Sequence, residues 1–181
     1  MRKQINHARR HACFSESALR QNGYHQIGRG AFSKAFVHRD APDVVIKVGK
    51  LYSKRLALTD GFPHFAQQLL DGEITSKFFP KVYDILIDAA RGLFWCIMKR
   101  YHKQRGAKKM AEQISTTHKA ITGSISGTKP IGRFRKAMEK LIDARFISDI
   151  HAGNVLWDAK GTPIVIDPIC ITPRYHRDFY A

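Results

Sequence analysis

The sequence predicts an α+β fold of two small lobes, an N-terminal antiparallel sheet with one helix followed by a reduced, mostly helical C-terminal lobe. Three observations predict it. Short β-branched and aromatic runs between residues 24 and 99 are separated by turns rich in Gly, Asp and Pro. Only one helical stretch, residues 62–70, interrupts them. After residue 101 the apolar positions recur at the helical period, and short strands return only near residue 155. With 181 residues the chain is long enough for one core, cleft in two.

The elements follow in order. Residues 1–22 read as a basic extension with a short helix, capped by Ser15, opened by Glu16 and stopped by Asn22 and Gly23. Residues 23–100 read as the N-terminal lobe. Its strands are 24–27, 35–37 and, after the DAPD turn of 40–43, 44–48. The helix at 62–70 ends near Asp71 and Gly72, and two more strands, 81–88 and 93–99, flank the AARG turn. Residues 101–181 read as a truncated C-terminal lobe. It begins with a helix over 108–121 and a breaker-rich loop over 123–130. The spacing of Ile131, Phe134, Met138, Leu141 and Ile142 predicts a helix over 131–147. A hairpin of 155–157 and 164–166 closes at Asp167 and Pro168.

Composition bounds the function. The net charge of +16 favours polyanionic partners: a nucleotide, an acidic protein patch, nucleic acid or an anionic membrane surface. The basic residues are spread along the chain, with local runs at 9–11, 99–103 and 108–109, and charge alone does not choose among these partners. Cys13, Cys96 and Cys170 lie far apart and predict neither a disulfide framework nor a zinc site, which fits a reducing cytoplasm. The nine histidines form no metal-binding pair with a plausible second shell, and no zinc is expected. The basic start lacks the apolar stretch of a signal peptide, no window approaches the roughly 20 apolar residues of a membrane span, and no membrane partner is expected.

The chemistry concentrates in SDIHAGN, residues 148–154, and in Asp167 beyond the hairpin. Phosphoryl transfer needs a carboxylate beside the attacking hydroxyl and oxygen ligands for a magnesium ion bridging the phosphates of ATP. Asp149, Asn154 and Asp167 supply them, at offsets of five and thirteen that match the HRDxxxxN and DFG motifs. Upstream, Gly28, Gly30 and Ser33 lie in a GRGAFS turn between two strands, with Lys47 on a later strand inside VVIK. Glycines let backbone NH groups close over phosphates, and a lysine ammonium meets them from the strand. Ser33 stands where the GxGxxG pattern has its last glycine. Residues 98–101, starting at Met98, form the linker expected to border the adenine.

Residues 27–48, 79–84 and 146–168 resemble the early serine/threonine protein kinases of the T-seven group of bacteriophages, and DIHAGNVLW also resembles the DxHxxN loop of aminoglycoside phosphotransferases. The resemblance implies a minimal protein-kinase-like fold with ATP and magnesium as cofactors. Asp149 would be the catalytic base or hydroxyl-orienting group, Asn154 and Asp167 the magnesium ligands and Lys47 the phosphate anchor. His151 would stand where protein kinases carry a lysine near the transferred phosphate. Gly28, Gly30, Ser33 and Met98 would line the nucleotide. The substrate would be a host protein in the bacterial cytoplasm, acidic or associated with nucleic acid; self-association is a further expectation, and direct nucleic-acid binding is left open. The alternative is a catalytically weak kinase-fold module that inhibits a host protein or nucleic-acid enzyme through its basic surface. A cationic aminoglycoside would be repelled by a chain this basic.

The sequence also departs from that pattern. The helix at 62–70 offers no acid to Lys47, leaving Asp60, Asp71 and Glu73 as substitutes. Ser148 replaces the arginine that reads a phosphorylated loop, Pro168 and Ile169 follow Asp167, and the fourteen residues after Asp167 are too few for an ordinary lower lobe.

Overall fold

The computed structural model describes residues 1–180. Two helices precede the first strand, α1 (Arg2–His11) and α2 (Glu16–Gln21). The Ser15 hydroxyl accepts the Ala18 N–H at 3.2 Å, the N-cap its sequence indicates. Helix α1 is absent from the sequence expectation because only Ala8 of its ten residues is buried, so it carries almost no apolar stripe. Polar contacts hold it instead. The Gln4 side chain exchanges two hydrogen bonds with Asp43, and Arg9 meets Asp84 at 2.8 Å.

The remaining elements are β1 (His25–Arg29), β2 (Ser33–His38), β3 (Ala41–Lys50), β4 (Tyr52–Ser53), β5 (Leu58–Asp60), α3 (Phe62–Asp71), β6 (Val82–Asp88), β7 (Leu93–Lys99), α4 (Ala107–Ile121), α5 (Gly132–Glu139), β8 (Phe146–Ser148), β9 (Val155–Trp157), β10 (Pro163–Val165), β11 (Ile169–Ile171) and α6 (His176–Tyr180). Three sheets result, and the fold is α+β. The largest has the order β1-β2-β3-β7-β6, all neighbours antiparallel. Strands β9 and β10 form a hairpin, and a four-stranded sheet has the order β4-β5-β11-β8.

The period of two in β3 decides which way each side chain faces. Val44, Ile46 and Val48 join Phe36, Leu19 and Ala8 in a cluster under α1 and α2. Val45 faces the other way, into a larger cluster with Phe62 and Phe65 of α3 and with Phe134, Met138, Val165 and Ile171. Lys47 alternates with Ile46 and Val48, so its ammonium emerges on the face of Val45 and α3. Among the described residues no helix is long and apolar enough to cross a membrane.

One expectation needs correction. The helix over 131–147 ends at Glu139, because the Asp143 carboxylate accepts the Arg145 N–H at 2.8 Å and closes a tight turn. Phe146 to Ser148 then leave as β8, paired with β11. The residues after Asp167 form β11, a 3-10 turn and α6, and Tyr180 packs into the core at 5% exposure.

Gly61 shows how tightly the small sheet abuts α3. A Cβ there would collide with the backbone carbonyl of Ile169, which cannot swing aside as a flexible side chain can. Gly61→Ala is expected to destabilise the fold by roughly 1–3 kcal/mol, read as a lower urea midpoint with an unchanged slope. An unchanged midpoint would show that this junction is looser than described.

Candidate active site

The small sheet gathers the carboxylates. Strand β11 pairs with β5 on one side, Cys170 opposite Asp60, and with β8 on the other, Ile169 opposite Ser148. Asp149 leaves the end of β8, Asp167 enters β11 through Pro168, and Asp60 ends β5. Three acids far apart in sequence thus emerge at adjacent strand ends. The Asp149 N–H donates to the Pro168 carbonyl at 2.8 Å and fixes the two segments together.

Asn154 ties the loop. Its side-chain NH2 donates to the Asp149 carbonyl at 2.8 Å, to the Asp149 carboxylate at 3.1 Å and to the Asp167 carbonyl at 2.8 Å. Its backbone carbonyl accepts from Ile166 at 2.9 Å. Both amide protons are thereby spent within the loop, which leaves Asn154 Oδ1 as the atom free to meet a cation. His151 Nδ1 accepts the Gly153 N–H at 3.1 Å, which places the ring proton on Nε2, 3.8 Å from Asp149 Oδ1.

Lys47 finds its partner in Asp167. Nζ lies 2.7 Å from Asp167 Oδ2, with the side chains 11% and 19% exposed, and 3.3 Å above the centroid of Phe62. None of the substitutes named from the sequence forms this ion pair. Asp71 is taken by the Gln67 amide at 2.9 and 3.0 Å. The helix that lacks an acid supplies an aromatic face instead.

Asp60 is the site residue whose setting the sequence did not reveal. It is 1% exposed, its Oδ1 accepts the Phe62 N–H at 2.9 Å, and its Oδ2 has no partner. Burial first, then the charge of Asp167, push its carboxyl up to about 8, although Lys47 opposes the shift. Burial and Asp167 likewise raise Asp149. The available signal was the run Ile169-Cys170-Ile171, a strand pattern whose pairing with β5 would have brought Asp60 beside Asp167.

A cleft of about 440 Å³ opens in front of this cluster. Gly28, Gly30, Ser33, Lys47, Met98, Asn154 and Asp167 all line it. Asp149 and His151 stand outside its lining, on the adjoining loop of residues 149–154. Ile27, Ala35, Val45, Leu156 and Ile166 add apolar walls suited to a planar ring.

No family model and no curated protein sequence matches the chain. Among solved structures it is similar to WbdD, in a co-crystal structure with a kinase inhibitor (TM-score 0.40) and in a second crystal structure (TM-score 0.44). Both share 17% identity, and each match covers 79% of this chain and 31% of that chain. The chain therefore spans about a third of the length of WbdD.

A carboxyl that titrates near 8 folded and at 3.8 unfolded holds its proton in the folded state across that interval. The folded state then binds more protons than the unfolded one, so stability falls as pH rises from about 4 to about 8. Asp60→Asn is expected to flatten this slope in nucleotide-free protein, measured as urea unfolding free energy across that range. Equal slopes for native and variant protein would show that Asp60 is ionised throughout.

Proposed function

We propose that the chain is a phage-type serine/threonine protein kinase that transfers the ATP γ-phosphoryl group to hydroxyls of host proteins in the bacterial cytoplasm. One observation carries the reading. A single amide, Asn154, binds Asp149 and the Asp167 backbone together while the Asp167 carboxylate meets Lys47 inside a nucleotide-sized cleft. Phosphoryl transfer asks for these parts in this arrangement.

The residues fit both cofactors. The Asn154 amide oxygen and the Asp167 carboxylate are hard oxygen donors of the kind magnesium takes. The apolar walls suit the adenine, and the glycine turn suits the phosphates. A Cβ at Gly28 or Gly30 would meet neighbours only at 3.6 and 3.8 Å, and neither glycine has a positive φ. Packing within the chain therefore does not demand glycine at either place, whereas close approach of a phosphate to the backbone does. Bound magnesium would neutralise the charge that develops on the phosphoryl oxygens.

Asp149 orients the incoming hydroxyl and accepts its proton as the oxygen bonds to the γ-phosphorus and the bond to the bridging oxygen breaks, releasing ADP. Its raised carboxyl is a better proton acceptor than an ordinary aspartate. Lys47 steadies the phosphates, and His151 Nε2–H faces the transferred group. A shallower groove of about 300 Å³ runs beside His151, lined by Lys108 and Lys119 and by Glu112, and its two ammonium groups outweigh the one carboxylate and suit an acidic stretch of substrate.

Radiolabelled ATP with magnesium and host extract is expected to yield labelled protein, with Asp149→Ala lowering the rate by about 10²–10⁴-fold. Asp167→Ala is expected to abolish the magnesium-dependent rise in melting temperature that ATP gives the native protein. No transfer to any protein, itself included, with magnesium or manganese would overturn catalysis. Retained nucleotide binding alone would then leave an inhibitory module as the function.

A further inference from the structure

Far from the cleft, on the opposite face of the large sheet, α1 brings an imidazole against the β2–β3 turn. His7 of α1, His38 at the end of β2 and Asp40 in the turn offer ligand atoms that all lie within 4.8 Å of one another. The rings of His7 and His38 have centroids 4.4 Å apart, and His38 Nδ1 lies 3.7 Å from Asp40 Oδ2. Zinc bonds of about 2.0–2.1 Å at tetrahedral angles put neighbouring ligand atoms about 3.3 Å apart, so small side-chain rotations close this set around one ion.

A second observation points to a ligand here. His7 Nε2 and Tyr24 Oη are buried and have no hydrogen-bond partner. Tyr24 is 3% and His38 9% exposed, and their rings lie 5.0 Å apart in the same cluster. Buried polar atoms left unpaired cost stability, and two in one cluster need an explanation that internal packing does not give. A cation on the His7 lone pair removes one of them directly. The Asp40 amide donates to His38 Nδ1 at 3.1 Å, and a cation on that nitrogen would take the place of this bond.

We infer that His7, His38 and Asp40 form a binding site for a zinc-class divalent ion that fastens α1 to the sheet. Two imidazoles and one carboxylate favour a borderline transition metal over magnesium, which prefers oxygen. The site is therefore chemically separate from Asn154 and Asp167. The sequence alone does not reveal this set, since 31 positions separate His7 from His38 and only the packing of α1 joins them.

Untagged protein, dialysed against chelator, is titrated with zinc chloride by calorimetry and with cobalt(II) by visible absorption. One equivalent is expected to bind, to raise the melting temperature and to give cobalt bands of a low-coordinate site, with excess magnesium not competing. His7→Gln and Asp40→Asn, checked as folded by circular dichroism, are each expected to weaken binding by roughly tenfold or more. His11→Gln, which alters a neighbouring ring outside the set, is expected to leave it unchanged. Absence of stoichiometric binding, or full affinity retained in both His7→Gln and Asp40→Asn, overturns the assignment.

Discussion

The ion pair between Lys47 and Asp167 is the contact on which the site depends. It joins the central strand of the large sheet to the turn that feeds the small one, at 2.7 Å and largely out of water. Removing two charges from water is costly, and Coulomb attraction repays that only with close geometry and further support. Phe62 supplies support by presenting its face to the ammonium. Without that cation, three carboxylates would converge on one small volume with little to offset their repulsion. Asp60, the most buried, accommodates the excess by holding a proton.

The same arrangement explains how a short chain holds together around its site. Strand β11 lies between β5 and β8, so its few residues fix the positions of Asp60, Asp149 and Asp167 at once. Tyr180 reinforces this from α6, donating to the Asp60 carbonyl at 2.7 Å and accepting the His64 N–H of α3 at 3.2 Å. The candidate site and the fold therefore rest on the same backbone junction.

The large sheet was legible because its signals are local. Alternating apolar residues, the AARG turn and the glycine turn each announce themselves within a few residues, whereas the turn expected at 40–43 sits at Arg39 and Asp40, with residues 41–43 already in β3. The positions of Asp149, Asn154 and Asp167 were legible for a related reason, since the hairpin between them fixes their separation. What stayed hidden depends on partners distant in sequence. Strands β4, β5, β8 and β11 are two or three residues long and gain their ladder hydrogen bonds from one another. Helix α1 is held by polar contacts with residues 43 and 84, which no periodicity encodes. The helix expected to reach residue 147 failed because the Asp143 turn outcompeted a helical apolar pattern.

The most direct measurement is a double-mutant cycle on unfolding free energy with Lys47→Met, Asp167→Asn and the combination, in the absence of nucleotide. A coupling of about 1–3 kcal/mol is expected if this pair binds the two sheets together. Additive effects, with no coupling, would contradict the central role given to the contact.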